Sequence, residues 1–295
     1  MGKTNRNGVD VWAIASPGGR VRAEVVPAWG GIGSSLVFDG RELLFQHEFF
    51  WNPESQRTRG GWPFLFPICG RLERGGVDGA YLHDGRVYNL PIHGFGSRMP
   101  WGVADSAEDR LTLVLTDTEA TRAAYPFRFE VRLAYRVESD AFVCEQSYAN
   151  RGDRPMPYYA GFHPYFRTPP PGAGKQDVKV DLKPVRRLKY NQRLTDIVGE
   201  EPVPTMPLSV TDPHASEMLL RVGEDREARL VHPDGLVIRM RAESFDYIQL
   251  YTMPELPFFC IEPWMSHPNS LNTAGAVRWL APGQTERSVL RVWVT

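Results

Sequence analysis

Cysteine is scarce. Cys69, Cys144 and Cys260 are odd in number, widely spaced and set among apolar residues. They read as reduced core residues of a cytoplasmic protein rather than as a disulfide framework. Long apolar runs are missing as well. Nothing approaches the roughly 20 residues that a membrane-spanning helix needs. The polar opening Met1-Gly2-Lys3-Thr4-Asn5-Arg6-Asn7 has no apolar run behind it, so no secretory signal is expected. Gly2 begins a myristoylation pattern that the following residues do not support. An excess of one charge is also lacking: 34 Lys and Arg stand against 35 Asp and Glu. A net charge of −1 offers no bulk attraction to phosphate backbones. No nucleic-acid or membrane partner is therefore expected, although a local basic pocket stays open.

Several catalytic signatures are absent too. No Gly-x-Ser-x-Gly elbow points to a serine hydrolase. No Gly-x-x-x-x-Gly-Lys loop cradles a phosphate. Two histidines and a carboxylate would suffice for a metal, but the histidines lack the His-x-His or His-x₃-His spacing that usually anchors one, so metal binding ranks second and no cofactor is expected. Long amphipathic helices are missing; the best short candidate is Glu119 to Ala124, capped by Asp117 or Thr118.

Strand patterns fill the space that helices leave. Phe129, Val131, Leu133, Tyr135 and Val137 alternate with Arg128, Glu130, Arg132, Ala134 and Arg136, the period of a half-buried antiparallel strand. Leu236 to Ala242 alternates in the same way, and Leu111–Leu115 and Ser288–Val294 are rich in β-formers. Asp39-Gly40, Asp78-Gly79, Asp84-Gly85 and Asp234-Gly235 supply the positive φ of hairpin turns. Proline clusters at 168–172 and 202–207, yet β patterning resumes unchanged on both sides. These features predict an all-β chain, one antiparallel sandwich of many short strands forming a single domain over residues 1–295.

Two short motifs carry the chemistry. Gly161-Phe162-His163-Pro164-Tyr165-Phe166 sets an imidazole before a proline, which stiffens its backbone, among three aromatic rings. Cys260-Ile261-Glu262-Pro263-Trp264 sets a carboxylate in a similar Pro-aromatic frame. A rigid imidazole in an aromatic wall, with a carboxylate partner, points to proton transfer on a carbohydrate. His47, His83, His214 and His232 occupy polar or turn-like contexts and read as structural or surface residues. His93 is followed by Gly94, which allows close approach, but a His-Gly pair alone leans structural. Arg71 ends the apolar, proline-stiffened run from Gly60. It reads equally as a snorkelling strand end or as a guanidinium fork at a pocket wall.

The segments Gly61–Leu72, Pro91–Trp101, Gly161–Phe166 and Cys260–Asn272 resemble, in that order, motifs of the aldose 1-epimerase (galactose mutarotase-like) family. The turn Leu280-Ala281-Pro282-Gly283-Gln284-Thr285 is similar to the family's last turn before its closing strand, and the resemblance spans nearly the whole chain. It implies a β-supersandwich fold and a small-molecule sugar as partner. By resemblance the catalytic histidine is His163 and the catalytic glutamate Glu262. His93 is the second pocket histidine and Arg71 the sugar-contacting arginine. A substrate-binding aspartate is matched nearest by Asp212, without the aromatic that usually follows it. Gln249 and Tyr251 precede the glutamate strand at a distance that lets them face the sugar.

Anomer interconversion suits these residue types. Ring opening requires removal of the proton on the anomeric hydroxyl and delivery of a proton to the ring oxygen. Glu262 is expected to be the base and His163 the acid, with the roles exchanged on closure. The alternatives are a mutarotase for hexose phosphates or other anionic sugars, a non-catalytic carbohydrate-binding protein, and a hydrolase or lyase on a related sandwich. For the first, Arg71, Arg74, Arg98 and Arg167 supply cations, but Ser97 stands where the hexose-6-phosphate branch usually has an arginine.

Overall fold

The computed structural model describes residues 2–52, 60–273 and 275–295. Its main sheet has nine strands in the order Gly102–Ser106, Arg110–Thr116, Phe129–Val137, Ala141–Asn150, Thr285–Val294, Val237–Ala242, Glu227–Val231, Lys179–Leu182 and Leu208–Ser209. The alternation read in residues 129–137 is realised: its odd positions are buried against the second layer and its even positions meet solvent or the rim. Facing this sheet is an eight-stranded one, in the order Ile197–Glu201, Pro184–Tyr190, Met218–Val222, Tyr247–Tyr251, Phe258–Trp264, Gly161–Phe162 and Phe64–Leu65, with Tyr165–Arg167 also paired to Phe258–Trp264. An N-terminal five-stranded sheet runs from Gly2–Arg6 to Arg41–Glu42. The strand ladders are antiparallel, as expected for an all-β supersandwich.

Between the layers lies a contiguous apolar core that includes Trp62, Phe64, Phe66, Phe129, Tyr148 and Phe162, each at most 1% exposed. The short helix expected at 119–124 forms over Glu119–Ala124. Thr118 is its cap: the Thr121 amide donates to the Thr118 hydroxyl at 3.2 Å, and the Thr118 amide donates back to the Thr121 hydroxyl at 2.8 Å. Among the four Asp-Gly pairs, Asp39-Gly40 and Asp84-Gly85 have positive φ at both residues. At Gly79 and Gly235 only the glycine does. The three cysteines are buried and unpaired. None of the described helices is long and apolar enough to cross a membrane.

Candidate active site

The strand Phe258–Trp264 is buried at every position, so its one carboxylate, Glu262, lies inside the protein. Both halves of the His163 motif pair with it. Gly161 is opposite Trp264 and Tyr165 is opposite Cys260. That register sets position 163 opposite 262, on the same face of the sheet. Pro164 has no N–H to give the ladder, and the pairing breaks between the two short strands at that point. The His163 amide instead donates to the Pro63 carbonyl at 2.9 Å. His163 Nε2 consequently lies 3.3 Å from Glu262 Oε1, with the two side chains 13% and 2% exposed.

This pair forms the floor of a cavity of about 270 Å³, lined by Gly70, Arg71, Ile92, His93, His163, Tyr165, Tyr190, Leu194, Glu217, Gln249, Tyr251, Glu262, Trp264 and Pro268. The His163 ring stacks on Tyr165 at 4.6 Å between centroids and meets Tyr251 edge-on at 5.9 Å. On its other side the His93 ring stands nearly perpendicular at 5.6 Å, and His93 meets Trp264 at 5.8 Å. Gln249 is directly across the ladder from Glu262. Its amide is held by the Tyr190 hydroxyl, which donates to Oε1 at 2.8 Å, and by its own donation to the Leu250 carbonyl at 2.9 Å.

Burial controls the protonation of the floor. Desolvation pushes the Glu262 carboxyl well above the usual carboxylate range and pushes the His163 imidazole down to about 4. Both shifts favour the neutral forms, with the proton on the Glu262 carboxyl and none added to the imidazole. His93 is held well below the ordinary imidazole value, first by desolvation and then by the neighbouring His163 imidazole and the Arg71 and Arg98 guanidinium groups. Its tautomer is fixed by its neighbours. The Gly70 amide donates to Nδ1 at 3.0 Å, so the ring proton sits on Nε2. The backbone of His93 has φ +63°, a left-handed conformation kept by reciprocal contact with Gly70, whose carbonyl accepts from the His93 amide at 2.9 Å.

Six of the seven residues singled out from the sequence, His163, Glu262, Arg71, His93, Gln249 and Tyr251, line this one cavity. Asp212 does not. Its carboxylate accepts from the His214 amide at 2.8 Å and closes the Asp-Pro-His turn, away from the cavity. The acidic residue that reaches the cavity is Glu217, in a left-handed conformation (φ +60°) just before the strand Met218–Val222. Tyr190 and Leu194, from the hairpin between Pro184–Tyr190 and Ile197–Glu201, also escaped sequence reasoning. Only the pairing of that hairpin into the sheet brings them here. His232 is buried, 5% accessible, and lies outside the cavity.

Among the described residues, one group of metal-type donors clusters, His163, Cys260 and Glu262, with donor atoms within 4.8 Å of one another. Burial keeps the Cys260 thiol well above its ordinary value, first by desolvation and then by the nearby Glu262 carboxyl, so the group would have to lose a firmly held proton to ligate.

Residues 18–293 match the family model described as aldose 1-epimerase. The fold is similar to that of the Slr1438 protein of Synechocystis sp. PCC 6803, with TM-score 0.84, 28% identity and coverage of 97% of this chain and 95% of that one. It is also similar to a galactose mutarotase related enzyme from Lactobacillus acidophilus, with TM-score 0.83, 22% identity and coverage of 97% of both chains. In sequence the chain is similar to the chromosomal protein LacX of Lactococcus lactis subsp. lactis, 23% identical over 240 residues, 76% of this chain and 80% of that protein.

Proposed function

The chain belongs to the aldose 1-epimerase family, and from that premise we propose that it is a mutarotase, interconverting the α and β anomers of a free aldose. One observation carries the proposal: a buried carboxyl and a buried imidazole, 3.3 Å apart, form the floor of a cavity with aromatic walls. A cavity of about 270 Å³ sits just under the size of drug-ligand pockets, which start at about 300 Å³, and suits one monosaccharide ring.

In the occupied site, sugar hydroxyls take the place of water around the pair and stabilise the carboxylate. The shared proton then passes to His163, leaving Glu262 as the base. Glu262 removes the proton from the anomeric hydroxyl while His163 delivers one to the ring oxygen, and the C1–O5 bond breaks to give the open-chain aldehyde. Rotation about C1–C2 and the reverse transfers close the ring on the other face. The proton count of the pair is the same before and after. The scheme uses proton transfers alone. His93 donates from Nε2, Arg71 and Gln249 bind hydroxyls, and Tyr165, Tyr251 and Trp264 form apolar walls for the sugar faces. Glu217, rather than Asp212, is the acidic group that accepts from a hydroxyl at the mouth.

Glu217 also weighs against a phosphorylated sugar, because its carboxylate shares the mouth with Arg71 and would oppose an anionic substituent. Saturation-transfer NMR on glucose, galactose and glucose 6-phosphate tests the reading. His163→Ala and Glu262→Gln should each lower anomer exchange by on the order of 10²–10⁴-fold with an unchanged far-UV CD spectrum. Binding without any exchange in the wild-type protein would identify a carbohydrate-binding protein instead. Faster exchange on glucose 6-phosphate than on glucose would assign the anionic sugar.

A further inference from the structure

The cavity has two walls of different origin. One is the segment Gly70, Arg71 and Pro268; the other is the hairpin tip 191–196, which carries Leu194. The tip is a self-contained knot. Asn191 Oδ1 accepts from the Arg193 and Thr195 amides at 3.2 and 3.0 Å, and Asp196 Oδ2 accepts from Asn191 Nδ2 and the Thr195 hydroxyl at 3.1 and 2.9 Å. Leu194 has φ +56° in this knot. Besides a bond from Asn269 to Asp196, the tip is tied by Arg193 to Asp78 and Glu73, at 2.5 and 3.9 Å, which are exposed or half-exposed pairs of small worth.

Asn269 joins the two walls. It is 3% exposed and left-handed (φ +62°). Its amide donates to the Arg71 carbonyl at 2.8 Å, and its side-chain Oδ1 accepts from the Glu73 amide at 3.0 Å and from Asn272 Nδ2 at 2.8 Å. Its Nδ2 then donates to Asp196 Oδ1 across the gap at 2.6 Å. The side chain thus bonds to both walls at once, and the cross-gap bond to Asp196 is charge-assisted and part-buried.

We propose that Asn269 is a positioning residue for the mutarotase reaction: with Asp196 it clamps the Leu194 hairpin against the Arg71 wall and so fixes the width of the sugar cavity. The inference rests on the proposed function, and it separates binding from chemistry. His163 and Glu262 are held by strand register and do not depend on the clamp. Opening the clamp loosens the walls that grip the sugar and leaves the floor intact.

The test uses a swap of donor and acceptor. Asn269→Asp replaces the donor by a second carboxylate facing Asp196, while its oxygens still accept from Glu73 and Asn272. Adding Asp196→Asn restores a donor and an acceptor with the direction reversed, and the side-chain oxygen kept at position 196 still accepts from Asn191 and Thr195. Wild-type exchange on galactose or glucose first establishes the reaction; its absence removes the mutarotase reading whatever the variants do. The expected result for Asn269→Asp is a KM raised about tenfold or more with kcat within about twofold. In the double variant KM returns to within about threefold of wild type. The clamp is overturned if Asn269→Asp leaves KM unchanged, if kcat falls in step with KM through general unfolding, or if the second substitution brings no recovery.

Discussion

At the scale of single residues, the distinctive feature is a carboxyl and an imidazole whose proton affinities burial has pushed past one another. In water an imidazole holds its proton to higher pH than a carboxyl does. Here His163 is lowered to about 4 and Glu262 raised well above the carboxylate range, both by desolvation. The consequence is a specific pH profile. Below about pH 4 the imidazole takes up a second transferable proton and no base remains. Above the raised value of Glu262 the pair loses its only transferable proton and no acid remains. The exchange rate at low sugar concentration, which reports the free protein, should therefore show no acid limb where an ordinary histidine titrates and fall only near pH 4 on the acid side. An acid limb centred near pH 6.5 would mean a solvated His163 and would sink this account of the floor. Both residues were legible in the sequence because each sits in a short aromatic-proline frame. The shared proton was not, since it depends on their mutual burial.

Secondary-structure elements explain both what was readable and what was not. Alternation in 129–137 and the capped helix at 119–124 are local patterns, and both formed where the residues indicated. Glu217 was hidden because its role comes from one left-handed residue at a strand entry. Asp212, five residues earlier, is equally suitable by sequence, and only its closed turn sets it apart. Leu194 and Tyr190 were hidden because they reach the cavity through sheet order, which one sequence does not display. The pairing that matters most is the approach of Gly161 to the glutamate strand. A Cβ at Gly161 would lie 2.8 Å from Trp264 Cδ1, 3.1 Å from the Pro263 carbonyl oxygen and 3.2 Å from Cys69 Cβ. Gly161 does not need its freedom of φ; it needs the missing side chain. Gly161→Ala should cost about 1–3 kcal/mol by overpacking and move the histidine strand away from Glu262. Misplacement by about 1 Å can lower a rate by as much as about 10²-fold. The readout is a lower thermal midpoint together with a loss in kcat that exceeds any change in KM. Wild-type kcat in this variant would show that the close approach does not position His163.

At the scale of the whole molecule, buried titratable groups impose opposite pH dependences on stability. His93, His163 and His232 are buried with their imidazoles held below the ordinary value, His163 and His232 to about 4. Each favours the unfolded chain as pH falls: the unfolded imidazole binds a proton near pH 6.5, whereas the folded one resists until much lower. Stability from these groups is complete above about 6.5 and declines toward pH 4, by up to about 1.4 kcal/mol per pH unit for each group while it titrates. Glu262 has the reverse sign. Its folded value is raised, so the folded state holds the proton that the unfolded state releases above the ordinary carboxylate value of 4.5. Its contribution is present below 4.5 and is lost as pH rises beyond it. Glu262→Gln removes the ionisation from both states while keeping the shape. The variant should therefore be inactive in anomer exchange yet more resistant to heat than the wild type at pH 7, the expected trade between an active-site group and stability. The same comparison at pH 4, where the wild-type carboxyl is protonated in the folded state and mostly so in the unfolded one, should find the gap largely closed. Thermal unfolding of the two proteins at the two pH values decides it. A gap that does not change between the two pH values would mean that Glu262 is well solvated in the folded protein, and a Glu262→Gln protein less stable at pH 7 than at pH 4, relative to wild type, would mean that the fold stabilises its carboxylate.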